Sequence, residues 1–281
     1  MDQTNRLIFV AGATGQQGGA VADALHRAGW RVRTITRDPG KPAAQALAAK
    51  GIEVQKGDLE DRPFLESALA GCSGVFAVTT PFGPGLESEV RQGYNLAEVA
   101  KKAGVSHFVF ASVGAADRNT GIPHFETKWK VEQRIQELAL PATILRPVFF
   151  MENFLNFSRP DFEKGVLALP APADKPMPMV AVEDIGRFAA AAFAAPGDFI
   201  GKVFELAGDE PSPAGAAAII ERVAGKPLTY HALPASVVPD EDLRLMFEWF
   251  YEHGFNVDIA ALNRIIPMRR FEEWAAAQKW I

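Results

Sequence analysis

Three observations predict an α/β protein with a doubly wound parallel sheet (a Rossmann fold) and a smaller, irregular α+β C-terminal domain. Short apolar runs alternate with amphipathic helical patterns through residues 6–146. Glycines stand where those helices should stop. The first strand enters a turn with glycines at 12, 15 and 18. Such alternation gives parallel strands covered by helices on both faces, and these sheets bind ligands beyond the carboxyl ends of their strands.

Taken in order, strands are predicted at 6–11, 31–36, 52–56, 74–79, 107–112 and 142–146. Helices are predicted at 17–28, 42–50, 62–70, 87–103 and 124–138. In the first helix Val21, Ala22, Leu25 and Ala28 fall on one face. Gly29, Gly51, Gly71 and Gly104 each follow a periodic run, as a left-handed cap requires. After Arg146-Pro147 the pattern changes. Phe149, Phe150, Phe154, Phe157 and Phe162 crowd a stretch broken by Pro160, Pro170, Pro172, Pro176 and Pro178. This reads as the crossing from a domain over 1–153 into a smaller one over 154–281, with aromatics that line a cleft or pack between the two. Val182-Glu183-Asp184-Ile185-Gly186 opens a helix to about Ala195, and residues 176–207 are expected to return to the sheet. Ser212-Pro213 starts another helix, a capping hydroxyl followed by proline at the first helical position. Further helices are expected at 240–253 and 270–280.

Composition narrows the function classes. With 29 basic against 34 acidic residues and a pI near 5.6, the chain has no excess of positive charge for direct nucleic-acid binding. Cys72 is the single cysteine, which leaves no intramolecular disulfide and no cysteine metal cage, and it reads as a small buried filler. His26, His107, His231 and His253 show no metal-ligand spacing, so no metal is expected. The apolar stretch Phe188 to Ala195 is too short to span a bilayer, and no charged-then-apolar signal precedes the first strand. A soluble, cytoplasmic protein without membrane contact is the expectation.

The stretch Phe9-Val10-Ala11-Gly12-Ala13-Thr14-Gly15-Gln16-Gln17-Gly18 has the form of a phosphate cradle. The first glycine permits the tight turn, the second admits a pyrophosphate to the backbone, and the third lets helix approach strand. A dinucleotide is therefore predicted over Gly12, Ala13, Thr14, Gly15, Gln16, Gln17 and Gly18. The second strand exits into Arg37, with Lys41 nearby, where an NAD site usually carries Asp or Glu. A guanidinium fork suits a 2′-phosphate and gives no acceptor to a ribose hydroxyl, so the cofactor predicted is NADP(H). Asp38 is expected to turn away. Asp58 and Leu59 follow the third strand, where they could meet adenine. Thr79, Thr80 and Pro81 follow the fourth, where they could meet ribose or nicotinamide.

Gly12-Ala13-Thr14-Gly15-x-x-Gly18, Thr36-Arg37-Asp38-Pro39, Gly57-Asp58-Leu59, His124-Phe125-Glu126-Thr127-Lys128, Arg146-Pro147 and Glu152-Asn153-Phe154 together resemble the NmrA-like branch of the atypical short-chain dehydrogenases/reductases. The resemblance runs over nearly the whole chain and is closest to the NADP(H)-responsive redox sensors of the HSCARG type. Quinone and isoflavone-type reductases belong to the same branch. The resemblance implies cofactor contacts from Gly12 to Gln17, Arg37, Lys41, Asp58, Thr79 to Pro81, Lys128, and the segment Phe150, Met151, Glu152, Asn153. Standard reductases of the wider superfamily carry Tyr-x-x-x-Lys on the helix after strand five, the tyrosine donating a proton to the carbonyl. Here Lys128 is present, but His124 stands four residues earlier, and Tyr94, Tyr230 and Tyr251 all lie elsewhere. His124 could act as a substitute acid, touch the cofactor, or simply cap its helix. Ser112 could hydrogen-bond a substrate or the nicotinamide amide.

Two functions follow from this reading. The first is an NADP(H)-sensing regulator that signals through loop ordering, at Pro81–Gly85 and Gly114–Gly121, or through a protein partner. The alternative is an NADPH-dependent oxidoreductase for a small apolar quinone, enone or carbonyl acceptor, walled by the aromatics after 149 and by Trp249, Phe250 and Tyr251. Neither reading specifies an oligomeric state.

Overall fold

The computed structural model describes residues 6–280, the side chain of Tyr251 excepted. Its first half alternates strand and helix: β1 (Leu7–Val10), α1 (Gln16–Arg27), β2 (Arg31–Thr36), α2 (Pro42–Ala49), β3 (Glu53–Lys56), α3 (Arg62–Leu69), β4 (Gly74–Val78), α4 (Leu86–Ala103), β5 (His107–Ala111), α5 (Pro123–Glu137) and β6 (Ala142–Pro147). These are the predicted elements, with no end moved by more than one residue. Ala28, expected on the buried face of the first helix, is instead its exposed C-cap. The glycines at 29, 51, 71 and 104 all have positive φ, between 68° and 86°.

Period-two burial builds the layers. Ile8 and Val10 point to one face of the sheet, against Val21, Leu25 and Phe188. Leu7 and Phe9 point to the other, against Leu65, Leu96 and Val131. Each strand therefore reads as continuously apolar, as a sheet covered on both sides requires. Cys72 belongs to the second of these layers, and burial pushes its thiol up to about 11.

The chain then passes through β7 (Phe149–Phe150), a 3₁₀ turn (Met151–Phe154), β8 (Val166–Leu169) and β9 (Met179–Val180). It returns to the main sheet as α6 (Val182–Ala194), α7 (Pro196–Phe199) and β10 (Val203–Leu206). The strand order is β10-β6-β5-β4-β1-β2-β3, with every pairing parallel. Sequence order reverses between β1 and β4, and the crevice there is where such folds take ligands. Strand β10 carries no long apolar run (Val203 and Phe204 are partly exposed at the sheet edge), and the sequence did not announce it. Helix α6 lies hard against α1: a Cβ on Gly186 would fall 2.4 Å from the Ala20 carbonyl oxygen.

The remaining elements are α8 (Pro213–Ala224), β11 (Thr229–Ala232), α9 (Glu241–Glu252), α10 (Ile259–Ile265) and α11 (Phe271–Ala276). Ser212 caps α8 by accepting the Gly215 amide, as its position predicts. The expected helix at 270–280 stops at Ala276, and α10 was unforeseen. Two small parallel pairs, β8 with β11 and β7 with β9, join α8 and α11 around a third core. Phe154 is wholly buried there between Phe149 and Phe271, and Phe162 packs against the same core. Those aromatics hold the small region together, while Phe150 and the exposed Phe157 face the main cleft.

Candidate functional site

A cleft of about 710 Å³ lies across the carboxyl ends of the central strands. At one end is the glycine turn. Gly12 has φ +63°, and the Gly15 amide closes the turn onto its carbonyl at 2.9 Å. A Cβ on Gly18 would sit 2.3 Å from that carbonyl oxygen and 2.6 Å from that of Ala11. The third glycine is thus fixed by contact between helix and strand. No side chain caps α1, so its first amides have no side-chain acceptor.

Gly12, Thr14, Gly15, Gln16, Gln17, Gly18, Arg37, Lys41, Asp58, Leu59, Thr79, Thr80, Pro81, Ser112, His124, Lys128, Phe150 and Asn153 all line this cleft. Ala13, Met151 and Glu152 do not. Ala13 is buried in the α1 layer and Met151 in the third core. Glu152 turns the other way and accepts the Val182 amide and the Trp274 indole N–H, both at 3.1 Å. Burial holds its carboxyl above the usual carboxylate range, although those hydrogen bonds oppose the shift. A 3₁₀ turn sends successive side chains in different directions, which splits Met151-Glu152 from Phe150 and Asn153.

Arg37 and Lys41 are exposed at the cleft edge, and neither side chain has a polar partner among the described residues. Asp38 accepts the Gly40 amide at 3.0 Å and shapes the turn. The side-chain oxygen of Gln17 is buried and also unpartnered.

Lys128 is 7% exposed. Its ammonium donates to the Thr79 carbonyl at 2.6 Å and pairs with the wholly buried Glu89 at 3.0 Å. Burial draws the lysine below its usual value, while Glu89 and Glu132 push it back. Nearby, Ser112 donates to Glu132, which also receives Arg146 through two bonds at 3.0 and 2.7 Å. Asp117 takes the guanidinium's other edge at 2.7 Å. Burial opposes the Arg146 charge, but its two carboxylate partners outweigh that and hold the group above its ordinary value. Because the Ser112 proton is committed to Glu132, the hydroxyl faces the cleft with lone pairs.

Beyond Ser112 the cleft becomes apolar. Helix α9 lays Leu243, Met246 and Phe250 along it at helical spacing, opposite Phe82, Phe125 and Val148. Trp249 stands behind this wall, packed on Phe125 and Phe255 at centroid distances of 6.4 and 5.6 Å. The side chain of Tyr251 lies outside the described residues. His124 is on the first turn of α5 and bonds Asp242 of α9 at 2.5 Å through Nδ1. Of the two loops expected to move, 114–121 is tied down by Asp117 to Arg146 and by Arg118 to Glu205. The 81–85 loop carries no ion pair among the described residues.

Glu89, Glu132, Asp242, Leu243 and Met246 were not found from the sequence, whereas Phe250, expected as a pocket wall, does line the cleft. The short-range spacings that flag His124 and Lys128 on one helical face do not reach partners as distant in the chain as Glu89 from Lys128, or Asp242 at 118 positions from His124.

A parallel seven-stranded sheet with a glycine turn at the reversal of strand order is a Rossmann-type architecture. Within that class, the chain belongs to the NmrA-like family, whose model matches residues 4–275. It is 32% identical over 231 residues to an NAD(P)H azoreductase of Xenophilus azovorans, covering 81% of this chain and 77% of that one. It is also 32% identical to quinone oxidoreductase 2 of Escherichia coli over 233 residues, 81% of this chain and 78% of the other. The structure of that quinone oxidoreductase complexed with NADPH superposes with a TM-score of 0.82, at 27% identity over 96% of this chain and 98% of that one. The negative transcriptional regulator NmrA, solved with NAD, gives a TM-score of 0.84 at 22% identity over 99% of both chains, a likeness of fold. Among the described residues, no helix is long and apolar enough to cross a membrane.

Proposed function

We propose that the protein is an NADPH-dependent oxidoreductase acting on a small, flat, apolar acceptor of the quinone or enone class. One observation carries this reading: a single cleft runs from the glycine turn and unpaired Arg37 into a compartment walled by aromatics, with His124 at its edge. The cradle residues fit the cofactor. The α1 amides and Gly12 to Gly18 would hold the pyrophosphate, Arg37 and Lys41 the 2′-phosphate, and the orphaned Gln17 oxygen could accept a ribose hydroxyl. Two curated relatives of known reductase type point the same way. Bound NADPH would supply the hydride.

The chain's own residues position and exclude. Ser112 can accept an N–H such as that of the nicotinamide amide, because its own proton is engaged. Lys128 braces the floor between Thr79 and Glu89. Phe82, Phe125, Phe150 and Phe250 would keep water from the acceptor, and alignment in a dry pocket is the main requirement of this chemistry. Steady-state NADPH oxidation against quinones, enones and aldehydes tests the proposal. Turnover near about one per second or faster with an apolar acceptor is the expected result.

The second reading, a cofactor-sensing regulator, is favoured by the absent tyrosine and by the exposed 82–85 loop beside the cleft. Tight NADPH binding without turnover, together with cofactor-dependent protection of that loop from protease, would replace the oxidoreductase reading with it.

A further inference from the structure

His124 and Asp242 are 118 positions apart in the chain, yet their side chains meet at 2.5 Å, 12% and 19% exposed. The same Asp242 oxygen lies 3.4 Å from the backbone amide of His124. The rings of Phe125 and Phe82 flank the imidazole at 4.7 and 5.8 Å. Ring position is therefore constrained, and an ionised Asp242, which can only accept, calls for a proton on Nδ1. Nε2 has no hydrogen-bond partner among the described residues, and His124 lines the cleft. Ser112 and Lys128, which line the same cleft, are committed, Ser112 to Glu132 and Lys128 to Thr79 and Glu89.

We propose that Asp242 is a positioning residue that holds His124 as the proton donor to the reduced acceptor, so that α9 completes the catalytic site. The inference rests on the oxidoreductase reading above. When His124 delivers its proton, the Nε2–H bond breaks and an O–H bond forms on the acceptor. The electron pair stays on Nε2, the Nδ1–H bond to Asp242 persists, and solvent restores the proton. The acceptor gains two electrons with the hydride and one proton from His124, as when a quinone becomes a hydroquinone. A carboxylate behind Nδ1 keeps the ring in the tautomer this requires and balances its charge when protonated.

Long-range ¹H–¹⁵N correlation on histidine-labelled full chain, free of cofactor, reads the tautomer directly, with His124→Gln assigning the signal. At about pH 8.5, above the ordinary histidine range, the wild-type ring should carry its proton on Nδ1, and Asp242→Asn should move it to Nε2. In turnover with a benzoquinone, Asp242→Asn should lower kcat on the order of 10–100-fold with little change in KM. A cationic triarylmethane dye needs only the hydride, and its kcat should fall less than about threefold, well short of the quinone loss. An Nε2–H tautomer in the wild type, or equal losses with both acceptors, overturns the proposal. If the wild type turns over no acceptor, the oxidoreductase reading falls and the proton-delivery role with it. The tautomer then reports only whether the Asp242 bond exists.

Discussion

Arg37 projects from the end of β2 without a polar partner among the described residues, in a chain whose other guanidinium groups are largely paired. If it recognises a 2′-phosphate, Arg37→Glu should weaken NADPH about 10–100-fold and leave NADH affinity nearly unchanged, as the loss of charge-assisted bonds implies. Calorimetric titration with both nucleotides checks this. Lys128 raises a different issue, because its ammonium also neutralises the wholly buried Glu89. Lys128→Met strands that carboxylate and should cost about 3–5 kcal/mol in urea unfolding. Adding Glu89→Gln should recover much of the loss, which separates this structural role from any contact with the cofactor. At His107 the ring bonds Thr143 at 2.8 Å, and burial pushes it down to about 4. The folded state keeps the ring neutral while the unfolded chain takes up a proton below about pH 6.5. Stability should therefore be fully present above that pH and fall by roughly 3 kcal/mol as pH drops from about 6.5 to about 4. His107→Gln should flatten that slope in denaturation series across the range.

At the scale of elements, the glycine turn works through the distance between α1 and β1. Gly18→Ala places a methyl group 2.3 Å from the Gly12 carbonyl oxygen, so the helix must move and the cradle opens. Such overpacking costs about 1–3 kcal/mol, and NADPH affinity should drop at least about tenfold with helical content retained by circular dichroism. Gly29→Ala makes an informative contrast. Nothing lies within 4 Å of a Cβ there, and the substitution strains only a backbone at φ +85°. It should lose about 1 kcal/mol of stability with the affinity intact. The sequence marks Gly18 as the third glycine of the turn and Gly29 as a helix stop, and the packing shows that only Gly18 has no room for a Cβ. Helix α9 carries a similar lesson. Its spacing announces an amphipathic helix, but Leu243, Met246 and Phe250 become a cleft wall only because the fold brings α9 across α5.

For the whole molecule, the cleft draws residues from both the main sheet and α9 of the C-terminal region. A nucleotide that binds the folded chain alone should raise its stability by about 2.7 kcal/mol at one hundred times its dissociation constant. In a protein of this size the melting temperature should rise by several degrees with saturating NADPH, measured by differential scanning fluorimetry, and less with NADH at equal concentration.

The strands and helices through β6, the glycine caps and the glycine turn after β1 were legible because each signal is local. Apolar period, helix stops and turn glycines are written within a few residues of the structure they produce. Strand β10 and helix α10 were missed for the same reason, being short and only weakly patterned. Phe154 and Phe162 were expected at a cleft or between domains and turned out to build the third core, since hydrophobicity says that a side chain is buried and not against what. The linear chain by itself determined the class of sheet and the glycine turn that follows its first strand. Tertiary structure alone decided that Lys128 would be clamped by Glu89, that Glu152 would turn from the cleft, and that His124 would find Asp242, because electrostatic and hydrogen-bond partnerships depend on distance in space, which separation along a chain does not set.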